Sequence, residues 1–182
     1  MDETIFFILK CLYFMLPAYF ANMAPVLVKD FFKLLNFPID FNKNFFNKPI
    51  FGKNKTYRGL IFAVIFGIIT SYMQHILTNF RFFDSLTFMD YSNWLIIGFL
   101  LGLGAILGDL VESYFKRRVD IRPGDPFIPW DQLDFVIGSL LLVSIIFRPT
   151  LKISAVIVIF SFVLHIVINH IGFHLKLKKT KH

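Results

Sequence analysis

The sequence predicts an all-α protein that crosses a membrane five times, and three observations predict it. The chain has 182 residues, is 56% hydrophobic and carries 25 phenylalanines, more apolar surface than the core of a soluble domain of that length can absorb. Its apolar residues gather in runs approaching the roughly 20 residues needed to cross the hydrocarbon core of a bilayer. No run shows the strict alternation that a closed barrel strand requires, which leaves the helix as the spanning element. The length predicts one membrane domain over residues 1–182.

The first span is predicted over residues 4–28, with Pro17 and Pro25 expected to kink or break it. Asp2 and Glu3 stand where a signal peptide would be basic, so this run is expected to be retained. Further spans are predicted over 59–77, 94–114, 133–147 (a short one) and 151–172. Gly98, Gly102, Gly104 and Gly108 in the third span include two GxxxG pairs, which let a neighbouring helix approach closely and are read as helix packing. Cys11 is the only cysteine, so no intrachain disulfide forms. His75, His165, His170 and His174 lie near span ends or in the last span and are read as interfacial packing.

The net charge is +7, from 19 basic and 12 acidic residues. The basic residues sit between apolar runs, which points to membrane orientation and anionic ligands rather than to nucleic acid. Lys29, Lys33, Lys43, Lys48, Lys53, Lys55 and Arg58 follow the first span, and Lys116, Arg117, Arg118 and Arg122 follow the third. The tail adds Lys176, Lys178, Lys179 and Lys181, whereas the other side holds only Arg81, Arg148 and Lys152. The positive-inside rule then puts the N-terminus outside and the C-terminus in the cytoplasm, in a multi-pass protein of the cytoplasmic membrane. Loops 29–58 and 115–132 fall on the same cytoplasmic face and are expected to form one site.

Within that site, Asp109 ends a glycine-rich apolar run, where an ionisable group is costly and marks function. Glu112 and Lys116 follow on the same helix face and read equally well as an ion pair. Asp131 and Asp134 share the first turn of the next helix; the first can serve as a cap, the second enters the apolar run. Asp134 together with Asp109 can offer oxygen ligands to a hard cation such as Mg²⁺, which takes one or two carboxylates plus substrate phosphates. The cations from Lys116 to Arg122 lie between the two acidic groups, an arrangement suited to a polyphosphate. Gly52-Lys53-Asn54-Lys55-Thr56-Tyr57-Arg58-Gly59 lacks the Walker spacing but precedes a helix whose free N–H groups can cradle phosphate.

Gly108-Asp109, Ser113, Lys116-Arg117 and then Asp131-Gln132-Leu133-Asp134 resemble the signature of CDP-diglyceride synthetases, although Arg122-Pro123 replaces a Lys-Asp pair and an H-G-G is missing. The fuller match is to the CDP-archaeol synthase family. Leu16-Pro17-Ala18-Tyr19-Phe20-Ala21-Asn22, Gly52-Lys53-Asn54-Lys55-Thr56-Tyr57-Arg58-Gly59, Lys116-Arg117-Arg118, Pro123-Gly124-Asp125-Pro126-Phe127 and Asp131-Gln132-Leu133-Asp134-Phe135 resemble its motifs in order. The resemblance implies a Mg²⁺-dependent enzyme that transfers CMP from CTP to an unsaturated archaeal ether-lipid phosphate, giving CDP-archaeol and pyrophosphate. It implies a catalytic set of Asp109, Asp131, Asp134 and Lys116, the three aspartates holding the metal. Lys53, Asn54, Lys55, Thr56, Arg58, Ser113, Arg117, Arg118 and Arg122 would bind substrates. CTP, the lipid phosphate and the bilayer are the expected partners. The alternatives are a phosphatidate cytidylyltransferase making CDP-diacylglycerol and a small membrane transporter, the latter disfavoured because the polar residues collect at span ends rather than mid-membrane.

Overall fold

A computed structural model describes residues 2–174, with side-chain surroundings as far as residue 167. The tail lysines and the side chains of His170 and His174 lie outside the described residues. The elements are α1 (Glu3–Leu27), a 3₁₀ turn at Lys33–Leu35, the two-residue strands β1 (Asn44–Phe45) and β2 (Lys48–Pro49), α2 (Tyr57–Leu77), α3 (Arg81–Ser85), a second 3₁₀ turn at Tyr91–Asn93, α4 (Trp94–Arg118), α5 (Trp130–Val143) and α6 (Leu151–His174). Three of these stretches, Glu3–Leu27, Tyr57–Leu77 and Tyr91–Arg118, are long and apolar enough to cross a membrane, and Leu151–Val167 is a further apolar helical stretch.

Asp2 starts α1 by accepting the Thr4 N–H at 2.7 Å. The helix then runs without a break through Pro17 and Pro25. Each proline frees one carbonyl of the preceding turn, but neighbouring helices confine the backbone there. Pro17 is buried, and a Cβ on Gly59 of α2 would lie only 3.4 Å from Pro25. Thr56 starts α2 by accepting the Gly59 N–H at 3.3 Å.

α4 is the central helix. Phe14 and Met15 of α1, Ile97 and Leu101 of α4, Val136 of α5 and Ile157 of α6 are fully buried in one core. The two GxxxG pairs of α4 face different neighbours. Gly98 and Gly102 meet α2, where a Cβ on Gly98 would lie 2.6 Å from the Gly67 carbonyl oxygen. Gly104 and Gly108 meet α5, where a Cβ on Gly104 would lie 2.6 Å from the Gly138 oxygen and one on Gly108 would overlap the carbonyl of Asp134. The axes therefore approach backbone to backbone, as small-residue interfaces in membranes do.

Two helices differ from expectation in their bounds. α4 continues one turn beyond residue 114, so Lys116 and Arg117 are helical. α5 begins earlier than predicted and ends at Val143, and its 14 residues extend only about 21 Å, against about 30 Å for a bilayer core. Ser144 folds its hydroxyl back onto Leu140 O at 2.6 Å, and Pro149 disfavours helix in the residue before it.

Substituting Gly104 or Gly138 by valine forces α4 and α5 apart and is expected to cost about 1–3 kcal/mol by overpacking. Thermal unfolding in detergent should show a lowered Tm for both variants. Leu141→Ala, at a position 68% exposed, should leave the Tm near that of the parent.

Candidate active site

The segment between α1 and α2 folds around Asp40. Its Oδ2 accepts the N–H groups of Phe51 and Gly52, each at 2.9 Å, and its Oδ1 accepts that of Asn42 at 3.0 Å. Burial works against the charge, but these backbone donors outweigh it and hold the Asp40 carboxyl below its ordinary value of 3.8. Gly52 takes φ +95°, open to glycine at little cost, and a side chain there would reach Arg117 and Pro123. The Ile39 N–H bonds Lys55 O at 2.9 Å, so the stretch from Gly52 to Thr56 is pinned at both ends.

The hairpin of β1 and β2 ties the same segment to the end of α4. Arg118 donates to the carbonyls of Phe45, Lys48 and Pro49, and Lys48 pairs with Asp120 at 2.7 Å. This ion pair and the Arg118 hydrogen bonds bring residues 50–56 over the polar end of α4.

Beneath lies a polar cavity of about 260 Å³. Asn54 and Lys55 enter it from the first loop, Asp109, Glu112, Ser113, Lys116 and Arg117 from α4, and Asp131 and Asp134 from α5. One carboxylate oxygen from each of Asp109, Glu112 and Asp134 lies within 4.8 Å of the other two. Lys55 reaches Asp109 at 2.5 Å. Lys116 bridges Glu112 at 3.0 Å and Asp131 at 3.1 Å. Asp131 also accepts the Phe127 N–H at 2.8 Å, which fixes the loop before α5. Arg117 is 6% exposed, and its Nε and Nη1 find no hydrogen-bond partner among the described residues. Two buried guanidinium nitrogens without a partner are unfavourable, and an anion in the cavity would satisfy them.

An apolar groove of about 570 Å³ runs along α4 and α5 beside this cavity, walled by residues such as Leu107, Val111, Phe115, Ile137 and Leu141. Glu112 and Asp134 line both spaces, so the groove opens at the acidic cluster.

Of the residues singled out from the sequence, Asn54, Lys55, Asp109, Ser113, Lys116, Arg117, Asp131 and Asp134 come together in the cavity. Lys53 and Arg122 are exposed outside it. Thr56 caps α2, Arg118 holds the hairpin, and Arg58 is buried and donates to Phe31 O at 3.0 Å. Glu112 joins the carboxylate cluster as well as pairing with Lys116, although the expected ligand set did not include it. Its i, i+3 spacing from Asp109 was the available signal. Nothing periodic marks Asp40, whose role comes from backbone groups far along the chain.

Packed apolar helices with a mixed-charge cavity at their ends define the class, a multi-pass membrane protein. The chain belongs to the CarS-like CDP-archaeol synthase family, whose profile matches residues 4–182. It is 36% identical over 169 residues to the CDP-archaeol synthase of Methanocaldococcus jannaschii, covering 92% of this chain and 93% of that one. The CDP-archaeol synthase of Archaeoglobus fulgidus is 35% identical over 179 residues, covering 95% and 97%. That of Thermococcus onnurineus is 41% identical over 134 residues, covering 73% and 72%. A solved structure of an intramembrane enzyme for archaeal membrane lipids biosynthesis shares the fold, with a TM-score of 0.72 at 24% identity over 86% of this chain and 90% of that one.

Because the Asp40 carboxyl is lowered in the folded state, its contribution is fully present above its unfolded pKa and is lost as pH falls through the folded value. Asp40→Asn should therefore lower the Tm at pH 7, and the gap to the parent should shrink below about pH 4. Thermal unfolding of both proteins across that range checks it.

Proposed function

We propose that this protein transfers the cytidylyl group of CTP to the phosphate of a membrane lipid, forming CDP-archaeol and pyrophosphate in phospholipid biosynthesis. The acceptor that the family implies is 2,3-bis-O-geranylgeranylglycerol 1-phosphate. One observation carries the reading: a carboxylate cluster and three cationic side chains share a cavity that opens onto an apolar groove. Nucleotide phosphates, a divalent cation and lipid chains have complementary surfaces there.

The donor set fits Mg²⁺. Asp109, Glu112 and Asp134 offer hard oxygen atoms within 4.8 Å of one another, close to the spread of ligands around an ion at 2.0–2.1 Å. These three residues would hold the ion, which would neutralise phosphate charge and polarise the α-phosphoryl group. Asp131, which is bonded to Lys116 and to the Phe127 N–H, would orient Lys116 rather than bind the ion directly.

In the reaction an oxygen of the lipid phosphate attacks the α-phosphorus of CTP. The bond from the α-phosphorus to the β-phosphate bridging oxygen breaks, and pyrophosphate leaves. Both reactants are anions, so charge neutralisation and alignment are the main tasks. Arg117, whose Nε and Nη1 are buried without a partner among the described residues, would take the polyphosphate, with Lys55 and Lys116 beside it. Asn54 and Ser113 would orient the substrates by hydrogen bonds. No general base is needed, since the acceptor phosphate is already ionised near neutral pH. The groove would seat the lipid chains with the headgroup at Glu112 and Asp134. Lys53, Thr56, Arg58, Arg118 and Arg122 would act by shaping and charging the loops.

The same reading places the single domain, residues 1–182, in the cytoplasmic membrane with five crossings, its N-terminus outside and its C-terminus inside. Loops 29–58 and 115–132 would then supply the site from the cytoplasmic face. The distribution of basic residues supports this orientation, and local thinning of the bilayer would accommodate a short α5.

Purified protein in detergent should release pyrophosphate only when CTP, Mg²⁺ and the lipid phosphate are all present. Unsaturated archaeal ether-lipid phosphate should outperform phosphatidate. Asp134→Asn should cut kcat by roughly 10²–10³-fold, the size of loss typical for a removed transition-state stabiliser; near-normal turnover would take Asp134 out of the metal site. Arg117→Ala should raise the KM for CTP more than that for the lipid.

A further inference from the structure

The end of α1 and the segment after it form an apolar surface that the proposed reaction does not use. Val26, Leu27, Phe31, Phe32 and Leu34 are exposed, Leu34 by 95% and Phe31 by 63%. Lys29 and Lys33 stand exposed among them, with Asp30 as the one acid between them. An exposed run this apolar in so short a stretch marks a surface that meets something.

Its position says what it meets. The segment leaves α1 and returns to α2, both long and apolar enough to cross a membrane, so both its ends lie at one bilayer surface. The Phe32 ring packs on Phe62, in the second turn of α2, with ring centres 4.6 Å apart. Buried Arg58 holds the Phe31 carbonyl at 3.0 Å. Phe32 takes φ +50°, a backbone conformation rare for a bulky side chain, so packing and this anchor set the direction of the rings. Aromatic and aliphatic side chains interleaved with lysine match the headgroup region, with rings among acyl carbons and ammonium groups on lipid phosphates.

We propose that residues 26–34 form an interfacial anchor that inserts Phe31, Phe32 and Leu34 into the anionic headgroup layer of the bilayer that α1 and α2 cross. The anchor belongs to the same loop as Lys55 and is joined to α2 through Arg58, so it would set the height of the phosphate-binding stretch at the level of lipid phosphates. The proposal rests on the membrane crossing of α1 and α2, and its test separates the two.

Cys11→Ala removes the sole cysteine, and single cysteines at Leu34, Phe31, Ile69 and Asp120 then carry nitroxide labels in nanodiscs rich in phosphatidylglycerol. Ile69, half exposed on α2, reports the hydrocarbon, and Asp120, an exposed charged residue in the loop after α4, reports water. Power saturation compares access of oxygen with access of a water-soluble nickel chelate. The anchor predicts that labels at Leu34 and Phe31 favour oxygen, with a depth between those of the two reference sites, and lie shallower when the anionic lipid is replaced by phosphatidylcholine. Leu34 and Phe31 labels as open to the chelate as the Asp120 label overturn the anchor while leaving the membrane reading intact. A chelate-accessible label at Ile69 overturns the membrane reading itself. Shielding from both reagents with spin–spin broadening assigns the surface to a second copy of the chain and overturns the lipid assignment, and equal depth in the two bilayers overturns its electrostatic part.

Discussion

The close approach of α4 and α5 is the constraint on which the site depends. Gly104, Gly108 and Gly138 have no side chains to hold the helices apart, so backbone meets backbone there. Asp109 follows Gly108 directly, and Asp134 precedes Gly138 by one helical turn. The same contact that packs the helices therefore brings two carboxylates from separate helices together. A larger residue at any of the three glycines would move α5 outward by a side-chain width, and the cluster of Asp109, Glu112 and Asp134 would open.

Gathering carboxylates at the end of apolar helices carries a large electrostatic cost, because like charges repel and burial removes water. The protein offsets it with cations from two elements. Lys55 comes from the loop before α2 and Lys116 from the next turn of α4, while Arg117, also on α4, has its Nε and Nη1 without a partner among the described residues. The result is a site whose charges are only partly matched among the described residues. An anion for Arg117 and a cation for the carboxylates would complete it, which is the charge pattern of a nucleotide carrying a divalent ion. The apolar groove meets this centre at Glu112 and Asp134, so charged and apolar ligands can share one reacting region.

The loop over the site is built from conformations that few side chains favour. Besides Gly52, the residues Phe41, Asn42, Phe46 and Asn47 have positive φ. They turn the chain tightly enough for Asp40 to reach three backbone N–H groups and for Arg118 to gather the hairpin carbonyls. Two of the basic residues that a motif reading sends to the substrate also hold the main chain here. Arg58 and Arg118 satisfy main-chain oxygens, which keeps the loop shape constant while Lys55 and Asn54 face the cavity.

Read alone, the amino-acid order determined the helical class, where the long apolar helices lie, and the family to which the chain belongs. Helix propensity, apolar run length and short motifs are local properties, and they survive without knowledge of neighbours. It also named most of the cavity wall, since Asp109, Lys116 and Asp134 break apolar or charge patterns that are visible in one dimension. Only the tertiary structure decided that Glu112 joins the carboxylate cluster while Asp131 bonds Lys116, that Asp40 organises the loop, and that Arg58 and Arg118 reach main-chain carbonyls. Those roles depend on which groups meet across a helix contact or a loop closure. Distances of a few ångströms between residues far apart in the chain are set by packing, which no local spacing encodes.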